Sequence, residues 1–350
     1  MGDQPRRPAG GRRRRRVGAP VGGDPHQDPA GDRRDRELTT ATTLQRPRRH
    51  SGRWGDRLFS GAALGAGAII LAVLAGVAAF LLREGWPALT ADASAIPGGD
   101  GLAAYIGPLV FGTVLSAGLA ILIAVPLAVA VSLFITFYAP RRLAGALGSV
   151  VDLLAAVPSI VFGLWGIAVL GPASVDLQRW LVDHLGWIPL FDGPASATGR
   201  TMLVVGFVLA LMILPIISAV TREVFARTPR SQIEGALALG ATRWEVIRMT
   251  VLPFGRSAIV GGSMLGLGRA LGETMAVAII LSVSGVVTVD LVSSGNPSTI
   301  AANIALDFPE SSGLDVNVLI ASGLVLFGIT LVVNTAARAL IARGEAGARS

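Results

Sequence analysis

The sequence predicts an all-α polytopic membrane protein with six transmembrane helices and both termini in the cytoplasm. Three observations carry that prediction. Of 350 residues, 52% are hydrophobic and 15% charged, and the mean hydropathy of +0.62 is far too apolar for a chain that folds in water. Six apolar stretches reach the roughly 20 helical residues that span a hydrocarbon layer. Arginine gathers in alternate loops, which orients those stretches.

The composition also excludes chemistry. All 30 basic residues are Arg. Without Lys there is no phosphate-cradling G-x-x-x-x-G-K-[ST] loop and no Schiff base, so if ATP drives this protein another chain hydrolyses it. With no Cys, and with His26, His50 and His184 far apart, neither a metal site nor a cofactor is expected. No catalytic residue is assigned.

Along the chain, residues 1–57 hold 15 of the 30 Arg and almost no large apolar side chain, the composition of a disordered cytoplasmic tail. The Arg12–Arg16 run reads as a topology signal or anionic-lipid contact, with nucleic-acid binding as the alternative. A permease domain is expected over 58–345, with spans near 61–82, 109–137, 150–170, 202–220, 258–287 and 318–337. Pro126, Pro158 and Pro215 mark kinks within them. Arg141 and Arg142 follow the second span. Six Arg between Arg222 and Arg256 follow the fourth, and Arg338, Arg343 and Arg349 follow the sixth, so these loops lie inside. The opposite loops carry Arg83, Arg179 and Arg200, and Asp290 to Asp315 holds four acids and no base.

The inside loop at 221–256 is the least membrane-like part of this domain. Pro229 and Ser231 offer a helix start. Ile233, Ala236, Leu237, Leu239, Trp244, Val246 and Ile247 then give helical apolar spacing interrupted at Gly240. Two short amphipathic helices joined by a Gly turn are expected. Such a helix either lies in a partner's groove or rests on the bilayer surface.

The fifth span contains GLGRALGETMAV, which sets Arg269 and Glu273 one turn apart on one face of a continuous helix. An Arg at the centre of a bilayer costs about 2.5 to 3.5 kcal/mol, and a charge-assisted hydrogen bond returns about 1.5 to 3. That face should therefore line a water-accessible cavity or a subunit interface. The pair is either a structural salt bridge or a site where Arg269 gives paired hydrogen bonds to an oxyanion in transit, with Glu273 holding or releasing it. Thr274 and Ser159 are candidate hydroxyl donors. Gly262, Gly266, Gly268 and Gly272 read as small-residue steps for close helix packing.

Glu234, Gly235, Ala236, Gly240, Leu252 and Pro253 resemble the EAA loop of ABC-importer permeases: Glu-Ala-Ala, three residues, Gly, nine residues, Ile, any residue, Leu-Pro. Gly235 departs at the middle Ala and Thr250 at the Ile. In span five, Gly-Glu-Thr-Met-Ala-Val resembles the phosphate branch of that family, the PstC type. The resemblance, over roughly residues 55–340, implies a MetI-like type I importer permease. Its loop would fit a cleft of an ATPase subunit, and its expected partners are a PstA-like permease, two PstB-like ATPases and a PstS-like phosphate-binding protein docking outside, where the acids of 290–316 stand. It implies inward transport of inorganic phosphate by a non-catalytic subunit in the cell membrane. A sulfate or molybdate permease and an ion-coupled carrier are the alternatives.

Overall fold

A computed structural model describes residues 53–281 and 285–347. The chain divides at Gly67 into two compact units, and the first is described only over residues 53–67, which are helical. Residues 1–52 of the expected tail lie outside the described residues, while Arg53–Arg57 already belong to the first helix.

The helices are α1 (Arg53–Thr90), α2 (Leu102–Leu133, prolonged by a π turn at Phe134–Tyr138), α3 (Arg141–Ala155), α4 (Ser159–Leu185, with a π turn at Gly166–Leu170) and α5 (Met202–Ala226). There follow α6 (Arg230–Ala238), α7 (Arg243–Val246), α8 (Leu252–Leu271), α9 (Met275–Ile280), α10 (Ile300–Asp307) and α11 (Leu314–Gly347). Among the described residues five helices are long and apolar enough to cross a membrane: Gly55–Thr90, Leu102–Tyr138, Ser159–Leu185, Met202–Ala226 and Leu314–Ala339.

The core is built on α5. Met202, Leu209, Ile213, Ile217 and Phe225 are fully buried there, and α2 meets them with Ala117, Ala120, Ala124 and Ala128 at helical spacing. Small side chains on that stripe let two backbones approach closely where apolar burial gives no net drive in lipid. A Cβ on Gly206 would lie 2.3 Å from Leu119 Cδ2, so α5 also needs a missing side chain at this contact. On α8, Gly262 and Gly266 face Ile217 at 3.1–3.3 Å for an added Cβ, as the packing expectation requires. Gly268 faces open space and Gly272 meets only Gly268 O, so those two serve no helix contact among the described residues. At the other end of the sequence, Ala88 of α1 packs with Val318 and Ala321 of α11, and Asn317 Nδ2 donates to Glu84 O at 2.6 Å. Between Ile69 and Phe80 the large apolar side chains of α1 are exposed, a surface that hydrocarbon rather than water would cover.

Two expected spans differ. The stretch 150–170 is split at Pro158: α3 ends at Ala155, and the apolar helix runs later, from Ser159 to Leu185. Pro158 has no N–H to continue a helix and disfavours helical backbone at Val157. The amphipathic α3 is tied instead to the end of α5, where Arg222 Nη2 reaches the Asp152 carboxylate at 2.8 and 3.1 Å. The stretch 258–287 is not one helix either. α8 stops at Leu271, and α9 begins only at Met275 and is six residues long. Leu281 then turns extended at φ −83°, ψ 145°.

Candidate functional site

The site has two ends joined by one helical run. At the lower end, Pro229 starts α6, and Gly240 closes its turn at φ +88°, a left-handed conformation that favours Gly. Gly240 N donates to Leu237 O at 2.9 Å and Ala241 N to Ala236 O at 3.2 Å, so the helix end is satisfied. Thr242 then caps α7. Its hydroxyl accepts from Glu245 N, while the Glu245 carboxylate accepts from Thr242 N at 2.7 Å. These bonds to Thr242, backbone first and side chain second, hold the Glu245 carboxyl below its ordinary value.

Glu234 and Gly235 are exposed, Ala236 is half-buried, and Leu237, Leu239 and Trp244 present apolar surface to solvent, Leu239 at 91%. The inner face is pinned. Val246, Ile247 and Val251 are buried, the last two with Leu133 and Phe225, and a Cβ on Gly255 would lie 2.3 Å from Phe225 Cε1. Leu252 and Pro253 open α8, and Pro253, with no N–H to give the preceding turn, directly follows the π turn at Ile247–Val251. Backbone from Arg243 to Leu271 stays right-handed through a π turn at Ile247–Val251, a helical run of about 40 Å.

That far end is the break. Gly272 leaves helical geometry, and Glu273, at 8% exposure, accepts from Ala276 N at 3.2 Å, satisfying one donor at the start of α9. Thr274 Oγ1 donates to Gly272 O at 3.2 Å. At the other end of α9, Arg200 donates from Nε to Ile280 O at 3.0 Å and from Nη2 to Ile279 O at 3.3 Å. A guanidinium on the last carbonyls both completes their hydrogen bonds and opposes the helix dipole. The α9 side chains Ala276, Val277 and Ile280 are buried, which is where a membrane protein tolerates non-helical backbone. α4 supplies part of that cover, since Gly163 lies so near Ala276 that a Cβ would come within 2.9 Å of its Cα.

The expected face shared by Arg269 and Glu273 is thus replaced. Arg269 sits in the last turn of α8 and is exposed, Glu273 lies beyond the helix end, and no ion pair joins them among the described residues. Ser159 is the first residue of α4, half-buried, on the element that packs against α9. Arg200 and the Thr242–Glu245 cap were not singled out from the sequence. Thr-x-x-Glu was a legible signal for the cap, whereas a lone Arg in a loop gave none.

Fold and site together describe a multi-pass helical membrane protein whose broken helix runs back to an exposed apolar segment. Residues 120–344 match the binding-protein-dependent transport system inner membrane component family, and the chain belongs to that family. It is 48% identical over 300 residues to the phosphate transport system permease protein PstC 2 of Mycobacterium tuberculosis, covering 82% of this chain and 92% of that one. The phosphate transport system permease protein PstC of Mesorhizobium japonicum is 37% identical over 302 residues, covering 83% and 91%. Among solved structures, a bacterial ABC transporter involved in the import of the acidic polysaccharide alginate aligns at a TM-score of 0.55 and 15% identity, over 83% of this chain and 98% of that one. That likeness is of fold.

Proposed function

We propose that the chain is the PstC-type, non-catalytic permease subunit of an ABC importer that carries inorganic phosphate into the cytoplasm, with both termini on the cytoplasmic side. The observation that carries this reading is the exposed apolar segment around Gly240, followed from Arg243 by right-handed backbone through a π turn to the Arg269–Glu273 break. Burying a side chain such as Leu239 in a partner cleft is worth about 1.5 to 3 kcal/mol, enough for a few such residues to grip an ATPase subunit. The 48% identity to a phosphate permease supports the substrate.

In this mechanism one of two PstB-like ATPases seats α6 and its Gly240 turn, and closure on ATP tilts α8. Its upper end then carries Arg269 between outward and inward exposure beside a PstA-like partner, while a PstS-like binding protein delivers phosphate from outside. Arg269 is free of any ion-pair partner among the described residues, so its guanidinium can give two parallel hydrogen bonds to an oxyanion. Glu273 anchors the break rather than neutralising Arg269. Ser159 is an accompanying hydroxyl, and Thr274, whose proton goes to Gly272 O in this structure, joins it when that bond opens.

The test is labelled-phosphate uptake by the reconstituted four-component complex, with sulfate as competitor. ATP-dependent uptake that excess sulfate leaves unchanged is expected. Competition by sulfate would point to a general oxyanion permease, and uptake that survives loss of the ATPase but collapses with the proton gradient would point to an ion-coupled carrier.

A further inference from the structure

An apolar groove of about 650 Å³ follows Pro126, Ala130, Phe134 and Tyr138 along α2 and its π turn and is walled on the other side by Trp244 and Ile247. From Pro126 to Tyr138 the helix rises about 18 Å, close to one leaflet's share of a hydrocarbon core about 30 Å thick. The groove is therefore as deep as one lipid chain is long. Four arginines neighbour its lining residues along the chain: Arg141 and Arg142 open α3 just after Tyr138, and Arg243 and Arg248 flank Trp244 and Ile247. All four are exposed, and none is in an ion pair among the described residues. The acid on that wall, Glu245, is already engaged by Thr242.

A leaflet-deep apolar channel lined by aromatic rings, with exposed guanidinium groups on the residues adjoining its lining, matches a fatty acyl chain with a phosphate at its head. We propose that the groove binds one anionic phospholipid of the cytoplasmic leaflet, its acyl chain between α2 and the Trp244 wall and its phosphate among these arginines. Because Trp244 and Ile247 belong to the run that ends at Leu271, the bound lipid touches both α2 and that run, and its charge sets how firmly the two adhere.

The test uses the full chain in lipid nanodiscs with Trp244 as the sole tryptophan, the other five of six replaced by Phe. Brominated phosphatidylglycerol is expected to quench Trp244 at least twofold more than brominated phosphatidylcholine at equal mole fraction. That preference should vanish in Arg141→Gln/Arg142→Gln and in Ala130→Phe, which fills the groove. Equal quenching by the two lipids would overturn the proposal. So would a preference that survives Ala130→Phe, since charge alone would then gather lipid at the surface. Loss of quenching on assembly of the whole transporter would show that a partner subunit occupies the groove instead. Native mass spectrometry of the unaltered chain, expected to retain phosphatidylglycerol over phosphatidylcholine from a mixture, keeps the test independent of the tryptophan replacements. Retention of the two lipids in the proportions supplied would count against the site.

Discussion

The two ends of the Arg243–Leu271 run solve the same problem, how to terminate a helix, in opposite surroundings. At the Gly240 end the solution is local and solvent-exposed: a Thr–Glu cap starts the run just after the left-handed Gly that closes α6, and apolar side chains are left uncovered. At the Gly272 end it is tertiary and buried, with Glu273 on one side of α9 and Arg200, from 80 residues earlier in the chain, on the other. A surface that must bind and release a partner cannot be covered by its own chain. A backbone break at membrane depth must be.

That contrast orders the expected effects. Gly240→Arg should be the most severe: a non-Gly residue there costs about 1 to 2 kcal/mol in backbone conformation, and an added Cβ meets nothing within 4 Å among the described residues, so the loss is expected at the partner contact. Membrane insertion should persist while ATPase co-purification and uptake are lost; unchanged co-purification would erase the functional side of the comparison. At the far end, Arg269→Lys should keep co-purification yet lower uptake about tenfold or more, because an ammonium cannot reproduce a bidentate fork. Wild-type uptake would remove Arg269 from the pathway. Glu273→Ala should increase hydrogen exchange at the Ala276 amide, with a loss of about 1 kcal/mol typical of a missing cap, while Glu273→Gln retains an acceptor and should keep the protection.

The smallest effect expected is one of pH. The Glu245 carboxyl is held below its ordinary 4.5 by Thr242. Its capping contribution is therefore complete above that value and is lost as pH falls through the lowered folded-state value. Amide protection in the first turn of α7 should drop on such acidification in the native chain relative to Glu245→Gln, and parallel profiles would show that the cap does not couple to its charge.

How much of this was legible follows from the same contrast. The exposed end could be read, because a Gly between two apolar-periodic segments acts through its own backbone. Long spans at α2, α5 and α11 were equally plain, since unbroken hydropathy is a local property. The break was not: Gly272 weakens a helix by only about 1 kcal/mol, and the apolar run continues beyond it, so hydropathy averages across the gap. What fixes it is Arg200 and the absent side chain at Gly163, contacts that only the folded chain brings together. The shift from 150–170 to Ser159–Leu185 had a local cause, Pro158, which hydropathy alone ignores.

The central claim is that the Gly240 segment faces the cytoplasm and is gripped there by a separate ATPase. The sequence contains no Cys, so Leu239→Cys places a single thiol at an exposed position of that segment. Labelling by a membrane-impermeant maleimide should occur in inside-out vesicles, be absent in right-side-out vesicles, and be blocked when the ATPase subunit is bound. Labelling from the outside, or labelling in inside-out vesicles that the bound ATPase leaves unchanged, would contradict the account.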